Sequence, residues 1–286
     1  MEKMPLRSAG WLVGVVTAHL LIVLMVVSNV AIAGNTELQQ IARRLIAAYP
    51  EHLSHVEGGK LIWRDGTRMD LDGKPRRLGS IAWLERPSIA DTMRIPYPAG
   101  RLSGPPEARL DAGRARNEAF FTKMYGDCRS GEVDRNLVTV IWLPKKSGQR
   151  LRVTRINGVA AKLQEISNAL DKLPARFNRF LIPAAGAYNC RKIAGSRRIS
   201  PHAYGFAIDI ATRNADYWAW QKVSSDEPPP PYRNRIPAEI VEIFEQHGFI
   251  WGGKWSYFDT MHFEYRPELL SPPQRLTCLD DACSRP

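Results

Sequence analysis

Two short stretches near the C-terminus hold residue types suited to hydrolysis: Ser200-Pro201-His202-Ala203-Tyr204-Gly205-Phe206-Ala207-Ile208-Asp209 and Asp259-Thr260-Met261-His262-Phe263-Glu264. Between them they offer two imidazoles, one carboxylate placed to ligate, and a free carboxylate three positions before the second histidine. Catalytic zinc takes three protein ligands and keeps a fourth position for water. The pKa of that water falls from about 15.7 to about 7, and a carboxylate nearby accepts its proton. The pattern is that of a zinc-binding hydrolytic site.

Such a site dictates what the chain must do around it. Fully extended, His202 and Asp209 would stand about 23 Å apart, too far to share one ion. The chain must fold back, and Gly205, free of a Cβ clash at positive φ, is the place for it. After that turn Phe206, Ile208 and Ile210 alternate with Ala207, Asp209 and Ala211, the period of a strand with one bulky face and one face of small residues that leaves room for a metal. Met261, Phe263 and Tyr265 alternate with His262 and Glu264 in the same way, so both polar residues look into one space. Asp259 lies outside the alternation and needs a turn or bulge to bring it round.

Taken singly, a histidine is more often a hydrogen-bonded residue than a ligand, and an aspartate on a strand more often pairs with an arginine. The conjunction carries the weight. Of the six histidines, His19 lies in an apolar leader, His52 and His55 lie in the N-terminal region, and His247 adjoins the helix-ending Gly248. That position suits service to a helix terminus.

With 286 residues, 44% hydrophobic and 24% charged, the chain can bury a sizeable core. Lys3 and Arg7 precede an uncharged apolar run from Gly10 to Val27, followed by Ala31-Ile32-Ala33, a small-x-small cleavage pattern. Residues 1–33 read as a signal peptide or, because the run reaches about 18 residues, as an uncleaved signal anchor. Either places the rest in the periplasm or cell envelope, with membrane contact only if the segment is retained. Cys128, Cys190, Cys278 and Cys283 all follow it, and an even count in an oxidising compartment favours disulfides over zinc thiolates. Three pairings are open; the short gap between Cys278 and Cys283 suggests a small loop, leaving Cys128 with Cys190. The formal charge of +11 suits an anionic wall or membrane surface, or simply a solvated basic face. A nucleic-acid partner rests on charge alone and is not expected.

The spacing of Leu38, Ile41, Leu45 and Ile46 predicts an amphipathic helix over residues 35–50, and Leu61 to Thr67 a hairpin turning at Asp65-Gly66. From there to about Gly113 the Pro-, Gly- and Arg-rich sequence reads as loops wrapped on something else. Strands are predicted at residues 137–143 and 151–155, a helix through Val159, Leu163, Ile166 and Leu170, and a strand at Leu181-Ile182-Pro183. Pro228 to Pro231 marks an exposed stiff loop, and Pro237 opens a helix that stops at Gly248. The expected fold class is α+β: a small, mostly antiparallel sheet carrying the site and flanked by helices, with an N-terminal extension of mixed strands and loops. Divided by role, the chain gives the leader at 1–33, an N-terminal region at 34–177, the zinc peptidase domain at 178–270 and a tail at 271–286.

The segment from about Ala185 to Leu269 resembles the zinc peptidase family of D-alanyl-D-alanine carboxypeptidases and L-alanyl-D-glutamate endopeptidases, a VanY-type carboxypeptidase-like domain. The resemblance rests on Ser200, His202, Gly205, Ala207 and Asp209, then Trp251-Gly252-Gly253-Lys254-Trp255, then Asp259, His262, Phe263 and Glu264. It implies that His202, Asp209 and His262 hold one Zn2+, that Asp259 is the general base, and that a basic residue upstream steadies a substrate carboxylate or oxyanion. Arg191 is the first choice for that residue and Arg198 the second, although the stretch around Arg191 departs from the family's pattern. Asp rather than Glu at the base position leans towards endopeptidase action. Ser200, Trp251, Trp255 and Glu264 are the residues expected to meet substrate, with Trp251 and Trp255 suited equally to the core. The implied activity is hydrolysis of an amide bond in a peptidoglycan stem peptide. Its rivals are the same chemistry on a non-wall peptide and a wall-binding module that keeps zinc only for structure.

Overall fold

The protein is described by a computed structural model covering residues 37–223 and 227–270. Contacts divide the chain into Met1–Gln40 and Ile41–Pro286. Of the first unit only residues 37–40, the start of a helix, are described. The apolar leader and the Cys278 and Cys283 pair lie outside the described residues, among which no helix is long and apolar enough to cross a membrane.

The second unit has the expected α+β character. Helix α1 (37–48) buries Ile41, Ala42 and Leu45. A three-stranded antiparallel meander follows, β1 (Leu53–Glu57), β2 (Lys60–Trp63) and β3 (Arg68–Asp70). The β2–β3 hairpin turns at Asp65-Gly66 as the sequence suggests, closed by Gly66 N donating to Trp63 O at 2.9 Å. β1 carries no apolar alternation and was not anticipated. Short helix α2 (Ile81–Glu85), capped by Ser80 Oγ accepting from Trp83 N, and helix α3 (Glu118–Tyr125) bracket a long irregular stretch. That stretch grips the C-terminal part: Trp255 Nε1 donates to Ala112 O at 2.7 Å, Lys254 Nζ to Pro98 O at 2.6 Å, and Arg109 N to Ser256 Oγ at 2.9 Å.

Strands β4 (Leu137–Trp142) and β5 (Gln149–Thr154) form an antiparallel pair under helix α4 (Val159–Leu170). Ser167 Oγ ties that helix to the pair, donating to Ile141 O and accepting from Leu143 N. The predicted strand at Leu181-Ile182-Pro183 is instead the end of helix α5 (Asn178–Leu181) followed by a cis Ile182–Pro183 bond. Leu181 O accepts from Trp142 Nε1, which fastens this corner to β4.

The last sheet carries the chemistry. Strand β6 (Ala207–Asp209), helix α6 (Ala238–Gln246), strand β7 (Phe249–Trp251), strand β8 (His262–Tyr265) and helix α7 (Pro267–Leu270) build it, with strand order β6-β8-β7, antiparallel throughout. Phe206, Ile208, Ile210 and Phe263 are fully buried, and Phe244 of α6 stacks on Phe263 at 3.8 Å. Each such ring contributes about 1.5–3 kcal/mol by leaving water. That burial fixes the register of β6 on β8, because a one-residue slip would exchange the aromatic face with the face that carries Asp209, His262 and Glu264. A disulfide joins Cys128 to Cys190, across 62 residues of sequence. The division proposed between residues 177 and 178 falls inside this one unit.

Candidate active site

Register brings the site together. Asp209 on β6 stands directly opposite His262 on β8, where facing side chains lie within about 5 Å. His202 sits on the single turn Pro201–Tyr204, which Gly205 ends at φ 74°, the predicted fold-back. A Cβ at Gly205 would lie 2.8 Å from Leu137 Cδ2, so the turn is also pressed against β4.

Three donor atoms converge. His262 Nδ1 is 2.9 Å from Asp209 Oδ1, and His202 Nε2 is 3.2 Å from each of the other two. Donors held about 2.0–2.1 Å from a tetrahedral zinc lie about 3.3 Å apart, close to these edges. His202, Asp209 and His262 can thus hold a metal ion. The second nitrogen of each ring is engaged: His202 Nδ1 is 2.5 Å from Ala187 O, and His262 Nε2 faces Glu264 Oε2 at 3.5 Å. Ala187 follows Gly186, which bridges to Asp209, so a short stretch beside β6 supplies that carbonyl.

Charge follows the same geometry. Burial opposes ionisation of Asp209, but the two histidines hold it well below the usual carboxylate range. Burial likewise opposes the His262 imidazolium, while its hydrogen bonds to Asp209 and Glu264 and the charges of Asp209 and Asp259 raise it to about 10. Asp259 reaches the site from a turn, its N donating to Gly252 O at 3.0 Å and its backbone bridging to Tyr217. Burial first, and the Asp209 charge second, raise its carboxyl to about 7. Its Oδ1 is buried without a hydrogen-bond partner. An orphaned acceptor beside a three-donor set is what a metal-held water would satisfy.

A cleft of about 510 Å3 opens over these groups. Arg191, Arg198 and Ser200 line it, as expected, and Trp255 forms wall and support together, 96% buried with its ring 5.8 Å from that of His262. Arg191 is exposed; Arg198 pairs with Glu85 at 3.4 Å, and burial with the charges of Arg116 and Arg114 lowers its guanidinium to about 9. Two expected substrate contacts are placed elsewhere. Trp251 is buried behind the sheet, stacked against Phe263 and donating to Thr260 O. Glu264 is 0% exposed and lies beneath His262, tied to Arg116 at 2.8 Å, so it has no surface to offer a substrate. The period-2 reading placed His262 and Glu264 on one face correctly, but that face is covered at Glu264 by the N-terminal stretch.

Sequence reasoning missed that stretch as a contributor. Arg114 and Arg116 enter the cleft wall from it, with Arg114 over the Tyr257 ring at 4.5 Å and paired with Asp111 at 3.0 Å. Their one signal was the Arg-Ala-Arg spacing, which in an extended chain sends two cations to the same side.

The class of the protein, a peptidase, comes from a family match over this site. Residues 194–265 match the family described as D-alanyl-D-alanine carboxypeptidase and form a domain of that family, about a quarter of the chain. No curated protein and no solved structure matches the chain.

Proposed function

We propose that the protein is a zinc-dependent peptidase that hydrolyses an amide bond in peptidoglycan stem peptides, with His202, Asp209 and His262 as the zinc ligands and Asp259 as the general base. The observation that carries this reading is the triangle of donor atoms at 2.9–3.2 Å beside the orphaned, near-neutral carboxyl of Asp259. Zinc, when bound, supplies Lewis acidity and a water of lowered pKa. Asp259 Oδ1, unpartnered beside the donor set, would accept a proton from the attacking water and return it to the leaving amine; a carboxyl poised near neutrality suits both transfers. Arg198 and Arg191 lend positive charge to one wall, where a substrate carboxylate or developing oxyanion gains from it. A wall peptide, rich in free carboxylates, fits the arginine-lined cleft better than a neutral peptide does.

Export to the periplasm or envelope belongs to the same reading. It is supported by the leader pattern at residues 1–33 and by the Cys128–Cys190 disulfide, a bond that persists in oxidising compartments.

The test is mass spectrometry of tetra- and pentapeptide muropeptides incubated with the protein, with and without a zinc chelator. Chelator-sensitive loss of one D-alanine establishes a carboxypeptidase and an internal cut an endopeptidase. No product from the zinc-loaded protein would overturn the wall-peptide reading.

A further inference from the structure

The nitrogen that His262 turns to the donor triangle is Nδ1, and Nε2 points away to Glu264. A neutral imidazole carries one N–H, so a lone pair on Nδ1 requires the proton on Nε2, where an ionised carboxylate can only accept. At 3.5 Å this contact sits at the limit of a hydrogen bond, and a small rotation of Glu264 would break it. Its persistence depends on what fixes the carboxylate.

Most of that fixing comes from outside the family segment. Arg116 meets Glu264 as a fork, with Nε 2.9 Å from Oε2 and 3.2 Å from Oε1, and its terminal nitrogen 2.8 Å from Oε2. A planar fork on a carboxylate holds its orientation as well as its charge. Arg266 adds a contact to Oε1 at 3.3 Å and donates to Gly113 O at 3.0 Å. Arg116 itself is aimed by donation to Arg114 O and lies 5.8 Å from the Trp255 ring, which packs on His262. The stretch can come this close because Gly113, at φ 78°, has no Cβ; one built there would lie 2.4 Å from Ile250 Cδ1.

We propose that Arg116 is a positioning residue: through Glu264 it holds His262 in the tautomer and orientation that leave Nδ1 free for a metal. The N-terminal half is then a working part of the metal site. The inference rests on the zinc reading above. Outer carboxylates of this kind are typically worth 10–100-fold in metal affinity.

The test is zinc affinity of the full chain, by competition with a chromogenic chelator, alongside thermal melting of the zinc-free form and the visible spectrum of the cobalt-substituted protein. Arg116→Met and Glu264→Leu should each weaken zinc binding about 10–100-fold and change the cobalt spectrum. Glu264→Gln, whose amide oxygen still accepts from Nε2, should retain more affinity than Glu264→Leu. Lys254→Met serves as the stability control, because it breaks a buried pair with Glu245 that touches none of the three donors. It should lower the melting temperature and leave zinc affinity alone. Unchanged affinity in Arg116→Met would overturn the proposal, as would an equal loss in Lys254→Met, which would make zinc binding a readout of stability. A native chain that takes up no zinc would overturn the metal reading itself, and shows this without any peptide.

Discussion

Two carboxylates flank the donor set at His262, Glu264 fully buried and Asp259 half-buried with one oxygen enclosed, and the molecule treats them in opposite ways. Beneath the ring, Glu264 is met by Arg116 and Arg266; burial alone would raise its carboxyl, yet the charge of Arg116 brings it down to about 2. At the cleft floor, Asp259 faces the like charge of Asp209, keeps one oxygen unpartnered, and rises to about 7. One region spends its charge on holding a shape, and the other leaves it unspent for chemistry. Pairs of titratable groups pushed apart by their surroundings mark the division between acid–base work and support. Glu264, the deeper of the two, is the one that stays ionised, because cations pair with it.

The strongest challenge to this contrast is activity. Asp259→Asn should keep zinc and lose about 10²–10⁴-fold in turnover, the usual worth of a positioned general base. His202→Ala should lose zinc and activity together, and an active Asp259→Asn protein would remove Asp259 from the proton path.

Stability gives the sharper comparison, since the same change from acid to amide can be made at both sites. In the zinc-free chain Glu264→Gln should cost about 3–5 kcal/mol by urea unfolding, because two buried guanidiniums lose their shared anion. Asp259→Asn should cost nothing or stabilise, because it removes a half-buried carboxylate that stands against the like charge of Asp209. Equal losses would abolish the distinction.

The pH dependence has a sign for each. Asp259 in the folded, zinc-free chain holds its proton up to about pH 7, against about 3.9 unfolded, so the native protein should lose stability relative to Asp259→Asn as pH rises through that window. Glu264, at about 2 folded against about 4.3 unfolded, contributes fully above pH 4.3, and its contribution fades as pH falls towards 2. Difference melting curves between native and variant chains measure both.

The smallest effects belong to the cleft wall. Arg198→Ala should raise KM about tenfold with kcat changed less, and Arg191→Ala, at an exposed position, should do less than that. A larger loss at Arg191 would reverse their order as carboxylate partners.

The order in which these features became legible follows their range along the chain. Alternation alone located β6 and β8, and Gly205 announced the turn that carries His202, because period-2 patterning and positive φ are local properties. The Cys128–Cys190 pairing was one of three possibilities and the hairpin at Asp65-Gly66 a short-range signal. Leu181-Ile182-Pro183 misled, since three apolar residues fit a helix end as well as a strand. Trp251 and Glu264 misled for another reason: sequence assigns a residue to a face but does not say what covers the face.

By itself, then, the sequence determined the donor types, the strands that present them and the family of the segment at 194–265. Tertiary structure decided which oxygen and nitrogen atoms meet, which carboxylate is paired and which is left open, and that Arg114 and Arg116 belong to the site. Those outcomes depend on contacts between residues up to about 150 positions apart, such as Arg116 with Glu264, and no local pattern encodes the approach of one buried charge to another.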